Sequence, residues 1–365
     1  MRNSFFKRDI SEALKGIALL FMMIHHFFTI PEWYIPAVSY PYLGAFARYL
    51  YAPLKICIPL FAFLTGYFYW LAPRKTVRYS LRKITDLVIP HSIVCVLMTL
   101  LAVALGCFHF TPRDFVMELL GLPETVMKFS WYVLFYCISM LLLPLLDKMS
   151  CEKLTGDLFL LLVLPVTAIQ GLMIIMDEQF HISIPYLFGV LESVREWLPC
   201  IMCGYLFGKY SLFETYFETL QEKFSGKAAK ILFWLCLCGI GFAGRLAIPR
   251  FQLGSIHPAG VWKQLVFTMD IFYAPLFAFG MAKLLETVKI PGLTKVLGAL
   301  GKKSLYMWFL HAMFFNCCRE YLQPLVYFPQ NPLLVMLLGV AVCYVLACLL
   351  DFAIKPVLKL KNKYL

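Results

Sequence analysis

Charge is what this sequence has least of: Asp, Glu, Lys and Arg make up 15% of its 365 residues, against 61% apolar. No soluble domain has that balance. Low-complexity tracts are missing, and so is any extended polar stretch; the longest hydrophilic pieces span only 107–129 and 209–228. A soluble module lodged between the apolar runs is thereby excluded. Metal-ligand spacing is missing too. The thirteen cysteines fall mostly inside apolar runs, where Cys behaves as a small hydrophobe. Cys200 and Cys203 form a C-x-x-C with no second pair or suitably spaced His beside it. That pattern predicts neither a redox pair nor a metal centre, so no metal is called for. The first apolar segment lacks a small-residue cleavage site and reads as a retained span, not a signal peptide. No two-half repeat with matched Gly/Pro-broken helices is visible, a pattern that many transporters carry.

What the chain has instead is apolar length. Runs near the ~20 residues that a membrane helix needs fall at about 11–30, 49–72, 85–106, 130–146, 156–176, 184–208, 229–248, 264–286, 303–321 and 333–354. Mean hydropathy is +0.76. The expected fold is all-α: a polytopic membrane protein of about ten transmembrane helices, forming a single integral membrane domain over 1–365. Within 209–228, Leu212, Phe213, Tyr216, Phe217, Leu220 and Phe224 share one helical face opposite Glu and Lys. This predicts an amphipathic connector on the cytoplasmic membrane surface.

The net charge of +12 would suggest nucleic acid in a soluble protein; here its distribution reads as topology. With the N-terminus inside, 24 of the 33 Lys and Arg fall on the inner side. The other nine (Arg48, Lys55, Arg113, Lys128, Arg195, Arg245, Arg250, Lys263 and Arg319) fall outside or within spans. This asymmetry predicts both termini in the cytoplasm, a multi-pass protein of the cytoplasmic membrane, and lipid rather than nucleic acid as its partner.

Polar groups inside the spans mark candidate chemistry, because ionisable side chains in lipid line cavities or reaction paths. Lys15 and His26 stand eleven positions apart in the first span, about 16 Å along a helix axis. His25 points about 100° away from His26 on a helix and reads as a satisfied core residue. Lys55, Glu192, Arg195, Glu196, Asp270 and His26 are expected in the outer halves of their spans. There, interhelical ion pairs such as Lys55 with Glu192 compete with a vestibule in which Asp270 or Glu192 orients the imidazole. His311, eight residues past Lys303, is expected at inner-half depth, as a helix–helix hydrogen-bonding group or as lining for a donor site. Arg74, Arg78 and Arg82 recur every four residues and would share a helical face. They serve either positive-inside anchoring or, with Lys83, a polyanion, since the planar fork of Arg suits phosphate. Trp131, Tyr132 and Trp33 suit an interfacial aromatic belt, with sugar stacking as a second reading for Trp131. From the residues alone, a transporter or exporter of a small polar solute is the rival class.

Together these segments resemble the membrane acyltransferase-3 family over nearly the whole chain. Lys15 and His26 are similar to its basic residue, ten-residue gap and His. IPLFAFLTGYFYW (58–70), SWYVLFY (130–136), WLPCIMCGYLFGK (197–209) and SLYMWFLHAMFF (304–315) resemble further motifs of the family. Lys15 replaces its usual Arg, Thr65 replaces Ser, and its Arg-x-x-Arg is replaced by Arg74, Arg78, Arg82 and Lys83. The resemblance implies an integral membrane O-acyltransferase that moves an acyl group, commonly acetyl, from cytoplasmic acyl-coenzyme A to a hydroxyl of a cell-surface polysaccharide or lipid-linked glycan. Lys15, Arg78, Arg82 and Lys83 would hold the phosphate-rich head of acetyl-coenzyme A. His26 would act as general base or as acyl carrier.

Overall fold

The computed structural model describes residues 4–35, 44–122, 125–181, 185–253 and 269–364. Among these residues the chain is helical throughout, with no β-strand. The helices are α1 (Arg8–Phe28), α2 (Gly44–Leu54), α3 (Cys57–Leu71), α4 (Val77–Ala104), α5 (Pro112–Leu119) and α6 (Trp131–Met149). They continue with α7 (Leu154–Gln179, with π-turns at 158–163 and 175–179), α8 (Pro185–Lys209), α9 (213–222) and α10 (Lys227–Leu253). The last four are α11 (Asp270–Thr287), α12 (Leu293–His311), α13 (Arg319–Tyr327) and α14 (Pro332–Tyr364).

Among the described residues, seven segments are long and apolar enough to cross a membrane: α1, Tyr49–Leu71, α4, α6, α7, Lys227–Leu246 and Pro332–Lys361. The run at 49–72 is two helices rather than one, because Pro59 has no amide to offer the Lys55 carbonyl, which takes that of Ile58 instead at 3.1 Å. The run at 184–208 is helical as α8 but carries Glu192, Arg195 and Glu196. That at 264–286 begins outside the described residues, as does Lys263, and is helical from Asp270. The run at 303–321 is corrected. Its helix starts ten residues earlier, at Leu293, and stops at His311. A 3₁₀ turn at Ala312–Phe314 follows, and Asn316 then turns the chain by accepting the Cys318 amide at 2.9 Å.

The chain divides into two compact units, each drawn from several stretches. The first comprises Met1–Met22, Arg48–Lys75 and Leu145–Lys302. Its core is the contact of α3 with α8, where Gly66 and Gly204 allow backbone against backbone. A Cβ on Gly66 would lie 1.7 Å from the Ile201 carbonyl oxygen, and one on Gly204 would lie 1.9 Å from that of Phe63. Arg245 on α10 and Asp270 on α11 form a buried ion pair, and Arg245 Nε also donates to the Ala52 carbonyl at 2.8 Å. A polar knot closes one end of α7: buried Asp157 accepts from Ser150 Oγ, the Cys151 amide, Lys209 Nζ and Tyr210 OH at 2.7–2.8 Å. Beyond Asp157 and Leu161, no residue of α7 is buried.

The π-turn in α9 redistributes the side chains of 209–228. Phe213 turns fully inward against Phe5, Phe207 and Phe279. Tyr216, Leu220 and Phe224 stay exposed. The apolar residues thus split between two faces, because a π-turn advances each residue by less rotation than an α-turn.

The second unit comprises Met23–Ala47, Thr76–Pro144 and Lys303–Leu365. Thr76 caps α4, accepting the Tyr79 amide at 3.2 Å. Arg78 and Arg82 therefore share the helix, whereas Arg74 is corrected to a residue of the non-helical link that precedes the cap. The Phe27 carbonyl at the end of α1 accepts from Tyr34 and Tyr327 hydroxyls at 2.6 and 3.0 Å. Buried Gln323 ties the Trp33 and Phe314 carbonyls and the Ile35 amide at 2.6–2.9 Å. These ties stop α1 just past His26 and hold its last turn.

Candidate active site

Helix α1 runs unbroken from Arg8 to Phe28, so Lys15 and His26 do lie on one helix, about 16 Å apart along it. In the first unit, Lys15 is half-buried with Nζ 5.6 Å from the Phe68 ring centroid. Gly16 beside it lets α1 close on α12: a Cβ there would lie 2.1 Å from the Leu297 carbonyl oxygen. Lys55 lies 4.6 Å over the Tyr51 ring. Glu192 sits 3.5 Å from Arg195 on its own helix, and Asp270 is engaged by Arg245.

His26 belongs to the second unit, in the last turn of α1. Its Nδ1 lies 2.7 Å from Nε2 of His311, the final residue of α12. The expectation of different depths for these two imidazoles is therefore corrected: they share one level. The error lay in counting from Lys302 and Lys303, which sit inside α12 rather than at its start. His311 is completely buried, and its Nδ1 lies 2.5 Å from the Trp308 carbonyl.

That chain of contacts fixes the tautomers. A carbonyl oxygen only accepts, so His311 Nδ1 carries the proton and donates. In the neutral pair His311 Nε2 is then an acceptor, His26 Nδ1–H donates to it, and the lone pair of His26 sits on Nε2.

Aromatic rings fix the plane of the pair. The two imidazoles are 7° from coplanar, and Phe129 lies over both, 4.0 Å and 17° from His26 and 5.4 Å and 11° from His311. Trp33 meets His26 edge-on at 5.4 Å, and Lys128 Nζ lies 5.1 Å over Trp33. Trp131 packs edge-to-face on Tyr132, and Tyr132 on Trp308, at 5.7 and 5.4 Å. Phe129 has φ of +70°, a left-handed backbone that costs a non-glycine residue on the order of 1–3 kcal/mol. Nothing in Lys-Phe-Ser announces that conformation, and the sequence reading missed Phe129. His25 is buried with Nδ1 3.0 Å from Thr29 Oγ1 on its own helix turn.

Arg78 and Arg82 are exposed near the start of α4. Lys83 lies 3.6 Å from Asp86, which also pairs with Lys361. A second polar pair missed from sequence is His91 with Ser130, Nε2 to Oγ at 3.0 Å, both buried. Among the described residues, no group of three or more His, Cys, Asp or Glu is arranged to hold a metal ion.

Apolar helices of membrane-crossing length mark a multi-pass membrane protein, and the ends of two helices bring the imidazoles of His26 and His311 together. The family model described as an acyltransferase domain matches residues 9–352. The chain belongs to the acyltransferase-3 family and is a membrane acyltransferase. No curated protein and no solved structure matches it.

Proposed function

We propose that the protein is a multi-pass O-acyltransferase of the cytoplasmic membrane. It moves an acyl group, acetyl in the first instance, from cytoplasmic acyl-coenzyme A to a hydroxyl of a cell-surface polysaccharide or lipid-linked glycan. One observation carries this reading: the contact series from the Trp308 carbonyl through His311 to His26, which leaves the lone pair on His26 Nε2.

The reaction then needs few parts. His26 Nε2 takes the proton of the acceptor hydroxyl as its oxygen attacks the thioester carbonyl. The tetrahedral intermediate collapses, the carbon–sulfur bond breaks, and Nε2–H returns the proton to the departing thiolate. Meanwhile the imidazolium keeps Nδ1–H on His311, as a triad base keeps its own on a carboxylate. Lys15, Arg78, Arg82 and Lys83 supply cations for the phosphates of coenzyme A, with the fork of each Arg suited to two phosphate oxygens. About ten spans with both termini cytoplasmic give the donor its side of entry.

The test is turnover of acetyl-coenzyme A by membranes containing the full chain. His26→Ala is expected to lower thiol release by about 10²–10⁴-fold while retaining coenzyme A binding and membrane insertion. Full turnover in that variant would refute the assignment.

A further inference from the structure

Glu118 takes no part in the chemistry above, yet it is completely buried near the end of the short helix α5. Its carboxylate accepts three successive amides: Oε1 from Thr125 and Val126 at 2.7 and 3.0 Å, and Oε2 from Met127 at 2.9 Å. Asn316 Nδ2 donates to the Val126 carbonyl at 2.8 Å, and the Cys317 amide to that of Thr125 at 3.1 Å. Ser130, at the other end of the segment, is fastened to His91. Between these ties stands Phe129, in its left-handed backbone and stacked on both imidazoles.

A non-glycine residue stays in that conformation only where its surroundings over-determine it; here the surroundings are Glu118, Asn316 and Ser130. The need for such a plate follows from the imidazole itself. Torsion about the bond to a flat ring is soft, so a single hydrogen bond does not hold the plane of His26. A ring fixed against its face does.

We propose that Glu118 is a positioning residue of this site: by pinning 125–127 it sets Phe129 as the plate that keeps the His26–His311 hydrogen bond in plane. The role in turnover rests on the acyltransferase reading; the role in geometry does not. A carboxylate serving all three amides is ill-suited to proton transfer, so its effect reaches His26 through Phe129.

The experiment uses the full chain in lipid bilayers with nitrogen-15 labelled histidine. It reads the coupling across the N–H···N bridge, assigned by its loss in His26→Ala, beside acetyl-coenzyme A turnover per folded molecule. Glu118→Ala and Phe129→Leu are expected to lose the bridge signal and about 10–100-fold in turnover, with coenzyme A affinity unchanged. Phe129→Tyr keeps the ring and recovers the signal lost in Phe129→Leu. Glu118→Gln keeps one oxygen and the side-chain shape, serves if the alanine variant does not fold, and should weaken the signal. A bridge signal of wild-type strength in a folded Glu118 variant would overturn the proposal, as would a wild-type protein without the bridge. If the bridge behaves as expected while the wild type turns over no acetyl-coenzyme A, the acyl-transfer reading falls and the positioning role stands.

Discussion

An imidazole is a directed base only when its second nitrogen is committed, and in this chain the commitment runs through a residue 285 positions away. His311→Ala should free Nδ1 of His26, let both tautomers populate and lower turnover by about 10²-fold or more. His311→Gln, whose side-chain oxygen can accept from His26 Nδ1, should recover part of that loss in a single-turnover assay of thiol release; equal rates in the two variants would contradict the tautomer argument. That Lys15 and His26 share one helix was legible in the sequence, because the residues between them form one unbroken apolar run. His311 was legible as a residue but not as a partner, since the Lys302–Lys303 pair falsely marked a helix start. Phe129 and Glu118 carry no local signal. A left-handed Phe and a carboxylate accepting amides seven to nine residues on are both products of tertiary closure.

At the scale of elements, the apolar runs located the helices well, and the departures have physical causes. Pro59 splits one run at Lys55–Ile56, and a π-turn divides the apolar face of α9. Charges inside spans were harder to read, because their partners sit on other helices. Asp270 looked available for the imidazole, yet Arg245 claims it. Buried pairs of this kind are costly to break and cheap to replace. Arg245→Ala alone should destabilise the protein by about 3–5 kcal/mol, seen as a lower thermal midpoint in detergent. The double variant Arg245→Met with Asp270→Leu should recover most of it. A single variant as stable as wild type would show that the pair carries no such energy.

For the whole molecule, the expected distribution of basic residues, 24 on the inner side against nine outside or within spans, makes a directional prediction. Tags at either terminus should be shielded from impermeant reagents in intact cells and become reactive once the membrane is opened, whereas reaction at the C-terminal tag in intact cells would reverse the topology. The division into two units, each assembled from distant stretches, was invisible to hydropathy, which sees neighbours along the chain only. So was the shallow seating of α7, none of whose side chains past Leu161 is buried. On the exposed face of such a segment leucine, isoleucine, valine and phenylalanine become nearly synonymous, and the latitude ends abruptly at the first lysine.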